Sequence, residues 1–358
     1  MSTATLPEVP GLLSADELAR SAAHIASVQH RSGAIAWFEG GHCDPWNHVE
    51  AAMALTVAGH LEQARAAYRW LERTQLGDGS WFNYYVGDAV KDARLDTNVC
   101  AYLATGVYHY LLATGDEQFA HELWPSVTRA LDFVVRWQMD DGTIRWSLDA
   151  SGRPESYALL TGSSSIYHSL RCAAALGERL GEAKPAWELS AGRLGHAVAH
   201  HPGAFAPKNE FAMDWYYPIF CGALRGSSGE GRIADGWERH VMDGYGVRCV
   251  STNDWVTAAE TAECVLALDA LGLTTAALDL FSCTRRHRRD DGAYWTGLAY
   301  PDAVTFPHRE TTTYTAAAII LAADALSSAS GAAGLFRHDE LAPAIDLAEA
   351  GCPLDGTL

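Results

Sequence analysis

The sequence predicts an all-α protein, an (α/α)6 toroid of six helical hairpins. Two observations predict it: a turn motif that recurs along the chain, and an apolar, helix-length segment after each copy. The motif places Gln or Arg four residues before a glycine, with a tryptophan following. Its copies are Gln29–Gly33–Trp37, Gln75–Gly79–Trp81, Gln138–Gly142–Trp146 and Arg288–Gly292–Trp295. Weaker copies fit at Gly203–Phe205 and near Gly244–Val247. Six units spaced by about 52 residues span most of the chain.

Each unit reads as two helices. The first is amphipathic and runs into the turn, as in 61–75, where Ala64, Ala67, Tyr68 and Leu71 recur at helical spacing. The glycine turn ends it. The second is apolar all round, as a buried helix must be. These inner segments are expected over 44–60, 95–114, 160–180, 213–225, 254–271 and 310–327. No strand alternation of any length is visible. The expected division is an N-terminal arm over 1–13, unanchored, one toroid domain over 14–329, and a tail over 330–358 with a short helix near Glu340–Glu349.

Composition narrows the function. The 358 residues carry 26 basic and 44 acidic side chains, a net charge of −18, and only three lysines. Such a chain is a poor partner for nucleic acid or anionic membranes. The longest apolar run, 316–321, is too short to cross a bilayer. The first fifteen residues lack the basic and apolar regions of a signal peptide, which implies a cytoplasmic protein. The eight scattered cysteines, with no CxxC pair, read as buried free thiols.

The Gln-x-x-Asp-Gly-x-Trp turns resemble the repeats of the terpenoid cyclase and protein prenyltransferase superfamily. The segment Thr257–Leu268 resembles the inner helix that carries the catalytic acid of squalene cyclases. That resemblance implies isoprenoid chemistry, with Glu260 or Asp96 supplying a proton and an aromatic wall sheltering a carbocation. The chain departs from it: there is no Asp-x-Asp-Asp motif, Ala259 stands where its acid should be, and no zinc-ligand set is recognisable. Six-hairpin glycosidases share the ring and are the competing family.

In such a ring the starts of the inner helices converge on one mouth. The first start offers Asp44, Trp46, Asn47, His48 and Glu50, and the second Asp96 and Asn98. Asp44 and Asp96 also suit helix N-caps. The third offers Tyr167 and His168 behind a serine-rich entry, and the fourth Asp214, Trp215, Tyr216 and Tyr217. The fifth offers Trp255, Glu260 and Glu263, and the sixth Arg309, Glu310 and Tyr314. Glu260, Asp96, Asp44, Glu310 and Asp214 are the candidate catalytic carboxylates, because clustered acids raise one another's pKa and leave one protonated. The remaining polar and aromatic residues are candidate substrate contacts. His42, Cys43, Asp44 and His48 match no standard zinc spacing.

Three functions follow. The family resemblance favours a terpene cyclase or prenyltransferase acting on an isoprenoid, with magnesium expected only for a diphosphate substrate. A carboxylate pair with tryptophan platforms suits a glycoside hydrolase or sugar epimerase. A ring filled by side chains at its mouth would be a non-catalytic binding protein. All three take a small molecule.

Overall fold

The computed structural model describes residues 6–342, 344 and 345. Among these, outer and inner helices alternate along the chain. The first three hairpins are α1 (Ala15–Val28) with α2 (Pro45–Val57), α3 (Leu61–Thr74) with α4 (Thr97–Ala101) and α5 (Leu103–Thr114), and α6 (Glu117–Val135) with α7 (Leu160–Arg179). The last three are α8 (Pro185–His200) with α9 (Ala212–Phe220), α10 (Gly226–His240) with α11 (Ala258–Ala270), and α12 (Thr274–Cys283) with α13 (Thr313–Ser327). The second inner helix is interrupted at Tyr102, which separates α4 from α5.

Burial separates the two layers. Eleven of the thirteen residues of α2 are buried, whereas α3 buries only Ala64, Ala67, Tyr68, Trp70 and Leu71, so α2 lies inside and α3 outside. The inner helices touch in sequence order, α2 on α5, α5 on α7, α7 on α9, α9 on α11 and α11 on α13, and α13 returns to α2. The ring is therefore closed.

The recurring turn is a staple between neighbouring units. Gln29 Nε2 donates to Gly33 O and, across the seam, to Gln63 O on α3, both at 2.9 Å. Gln75 does the same to Gly79 O and Ser126 O, and Gln138 to Gly142 O and Ser190 O. The turn glycines lie so close to the next outer helix that no side chain fits: at Gly33 (φ +98°) a Cβ would fall 2.2 Å from Ala66 O. At the last seam Arg288 replaces glutamine and pairs with Glu17 at 2.9 Å.

Three expectations need correction. Short strands are present: a β1–β2 hairpin (Tyr84–Val86, Ala89–Asp92), a β3–β4 pair (Leu95–Asp96, Ser147–Leu148), and a five-stranded antiparallel sheet in the order β5 to β9 (Val241–Met242, Gly246–Arg248, Trp255–Thr257, Gly297–Ala299, Val304–Thr305). With two to four residues each, they are too short to show alternation. The 6–13 stretch is not a free arm, because Val9 and Leu13 are buried and Arg285 and Arg288 donate to Gly11 O and Leu12 O. The helix expected near 340–349 falls largely outside the described residues; 340 is a turn, and 341, 342, 344 and 345 are non-helical. No helix among the described residues is long and apolar enough to cross a membrane.

Candidate active site

Connections from outer to inner helices are long, and they meet at the N-terminal ends of α2, α4, α11 and α13. There they enclose a cavity of about 380 Å3. Its polar lining comes from Asp44, Asn47, Glu50, Asn83, Arg94, Asp96, Glu260 and Glu263, and its aromatic lining from Trp37, Trp46, Tyr84, Trp146 and Tyr314. Val99, Met213 and Ala259 complete it. The mouth is thus open space rather than a filled core.

Two aspartates are held by the same device. Asp44 caps α2 by accepting from Asn47 N at 2.9 Å, while its Oδ2 accepts from Trp37 Nε1 at 2.6 Å and Asn47 Nδ2 at 2.9 Å. Asp96 caps α4 through Asn98 N and Val99 N, and its Oδ2 accepts from Trp146 Nε1 at 2.6 Å. In both cases a turn tryptophan aims its indole N–H at a carboxylate. Burial pushes the Asp96 carboxyl up to about 6, against the pull of those three donors. Arg94 lies 5.1 Å from the Trp146 ring and is the cavity's cation.

Deeper in the ring, Glu50 of α2 and Glu263 of α11 form a buried carboxyl pair. Tyr102 Oη donates to Glu50 Oε1 at 3.3 Å, and Tyr217 Oη donates to Glu263 Oε1 at 2.9 Å, with Tyr216 Oη on Oε2. Burial, and then each carboxyl's repulsion by a neighbouring glutamate, holds both groups above the usual carboxylate range. A proton therefore resides on this pair at neutral pH.

Glu260 sits in the first turn of α11 and is partly exposed to the cavity. Its charge and that of Asp44 both act on the buried Tyr314 hydroxyl, and those of Asp44 and Asp96 both act on Tyr84. Glu260, Asp44 and Asp96 share the cavity lining with Tyr314 and Tyr84. Trp37 joins the two tyrosines, edge to face with each, at 5.0 and 6.2 Å.

Of the sequence-derived candidates, Asp44, Trp46, Asn47, Glu50, Asp96, Glu260, Glu263 and Tyr314 line this cavity. The others do not. His48 is a structural bridge: Nδ1 accepts from Ile35 N at 2.9 Å, Nε2 donates to Ala67 O at 3.0 Å, and burial lowers it to about 4. Asn98 is buried against Gly162. Tyr167 and His168 lie two turns below the start of α7, where His168 stacks on Phe336. Asp214 turns to Thr161, and Trp215 packs on His240 and donates to Arg232 O. Tyr216 and Tyr217 hold Glu263 from behind. Trp255 is tied to Phe306 O in the sheet, Glu310 accepts from Thr296 Oγ1, and Arg309 is exposed.

The lining residues that helix starts do not reveal are Asn83, Tyr84 and Arg94, beside or in the β1–β2 hairpin, with Val99 and Met213. Trp37 and Trp146 carried a signal as tryptophans of the repeated turn. Among the described residues no three His, Cys, Asp or Glu side chains are grouped to hold a metal.

No protein-family model matches the chain. Its fold recurs in solved sugar-active enzymes. A D-mannose isomerase superposes with a TM-score of 0.66 at 11% identity over 86% of this chain and 95% of its own. A glycosidase in complex with glucose gives 0.66 at 14% over 88% and 97%, and a sugar epimerase from a ruminal bacterium gives 0.63 at 10% over 86% and 97%. The fold is therefore the (α/α)6 toroid, the architecture that these solved glycosidases and sugar isomerases share. Within it, the chain is 52% identical over 336 residues to an MMP endo-(1,4)-3-O-methyl-α-D-mannosidase of Mycolicibacterium hassiacum, covering 94% of this chain and 93% of that protein. The chain belongs to that mannosidase's family.

This relationship overturns the isoprenoid expectation, whether cyclase or prenyltransferase. The physical reason is visible in the staple. The Gln-to-Gly-to-Trp turn fastens one outer helix to the next and orients mouth carboxylates, a task that any ring of hairpins has to solve. It carries fold and no reaction.

Proposed function

We propose that this protein hydrolyses internal α-(1→4) bonds in chains of 3-O-methyl-D-mannose, using Glu260 and Asp44 as its carboxylate pair. The full-length relationship to the M. hassiacum mannosidase carries the proposal. The cavity supports it with several carboxylates, aromatic side chains and the amides of Asn47 and Asn83 for sugar hydroxyls.

Glu260 is the proton donor. Its proton goes to the glycosidic oxygen as the C1–O bond breaks, freeing one chain end as an alcohol. Asp44, already oriented by Trp37 and Asn47, takes a proton from the water whose oxygen bonds to C1. Asp96, Asn83 and Arg94 contact the neighbouring sugar, and Trp46 adds an aromatic wall. The Glu50–Glu263 pair beneath retains a proton, which keeps the floor from adding two full negative charges.

The test is release of reducing ends from synthetic α-(1→4)-linked 3-O-methyl-mannose oligosaccharides. Wild type is expected to cleave internally, with Glu260→Gln and Asp44→Asn each slower by about 10^2–10^4-fold. No cleavage by wild type, or full activity in both variants, overturns the proposal.

A further inference from the structure

The cavity is not polar all round. Three of its lining residues, Val99, Met213 and Ala259, bring no hydroxyl, amide, indole or charge. They come from three different inner helices, α4, α9 and α11, so no single amphipathic stripe accounts for them. Val99 is only 5% exposed, yet it belongs to neither apolar core cluster, whereas its successors Cys100, Ala101 and Tyr102 all join the main one. Its methyl groups are spent on the cavity. Ala259, 6% exposed, immediately precedes Glu260, and both line the cavity.

We infer that Val99, Met213 and Ala259 form the surface that recognises the 3-O-methyl group of the substrate, an inference that rests on the proposed reaction. A methyl ether has lost its hydroxyl proton and gains contact with apolar walls. An unmethylated sugar would place a free hydroxyl against the same walls, stripped of water and given no partner. The site thus selects methylated chains by what it withholds. One methyl group in an apolar recess sustains a discrimination of about 10–200-fold, which sets the scale of the effect.

The experiment compares kcat/KM on matched α-(1→4)-mannose oligosaccharides, one set 3-O-methylated and one not. Wild type is expected to prefer the methylated set by about 10–200-fold. Val99→Thr keeps the shape and adds a hydroxyl, and Ala259→Ser is a second small change. Each is expected to shrink the preference by roughly tenfold, through loss on methylated substrate. Met213→Gln extends the series on the facing helix. A general loss of fold lowers both substrates together and leaves their ratio intact, so the ratio reports recognition. Equal wild-type rates on both sets, or an unchanged ratio in all three variants, overturns this inference while leaving the hydrolase proposal standing. Failure of wild type on both sets overturns the two together.

Discussion

Asp44 and Asp214 occupy matching places in the repeat, at the start of the first and fourth inner helices, and the ring uses them differently. Asp44 is gripped by the indole of Trp37 and lines the mouth cavity. Asp214 is gripped by Thr161 of the neighbouring helix and lines a separate hollow of about 490 Å3 beside α10. The weaker turn of that unit carries Phe205 in place of tryptophan, and Phe205 has no N–H to give; it is buried with Ala158, Leu160, Ala197 and Val198. The backbone repeat is sixfold, but the mouth cavity lies on the side where turn indoles meet carboxylates.

The sharpest way to break this comparison is to neutralise both aspartates. Asp44→Asn is expected to cost about 10^2–10^4-fold in kcat, and Asp214→Asn to leave kcat within about twofold; equal losses would erase the distinction. Trp37→Phe removes the donor and keeps the ring. A lost hydrogen bond to a charged group is worth about 1.5–3 kcal/mol, so a fall in kcat of roughly tenfold or more is expected without a change in melting temperature comparable to a core defect. Gly33→Ala tests the staple itself. With a Cβ 2.2 Å from Ala66 O and φ at +98°, a loss of about 1–3 kcal/mol in chemical denaturation is expected.

The buried pair has a pH signature. Below about pH 4.5 the Glu50 and Glu263 carboxyls are protonated in folded and unfolded chains alike. Above it the unfolded chain releases protons that the fold retains, so stability falls as pH rises, by up to about 1.4 kcal/mol per pH unit for each group. Glu50→Gln removes one of these titrations, so its stability is expected to decline less steeply than wild type between pH 5 and 8. The smallest effect is expected at Asp214→Asn, about 1 kcal/mol in thermal unfolding from weakened bonds to Thr161.

Most of the ring was legible because two signals are strong in one dimension: glycine turns at a steady interval and helices apolar on every side. The sheet was not, since Trp255–Thr257 and its partners are too short to alternate. The site was half legible. Helix starts exposed Asp44, Asp96 and Glu260, but depth along a helix is not written in residue type. Tyr167 is seven residues past Leu160, roughly 10 Å below the mouth, and on α9 only Met213 reaches the cavity while Trp215 faces outward. Arg94 supplies the cation sought at Arg309; it lies between β2 and β3, one residue before the inner segment expected over 95–114. The reaction was least legible, because the most regular motif in the sequence serves the scaffold.

The seam that shuts the ring also sets a timetable. Arg288 reaches Leu12 O across 276 residues, and Thr313 Oγ1 reaches Ala36 O across 277. A ribosome adding about 5–20 residues per second takes roughly a quarter of a minute to a minute to deliver the second partner after the first. Until then the flank of α1 and α2, against which α13 packs in the finished ring, lacks that partner. No local repair of a single hairpin shortens the wait.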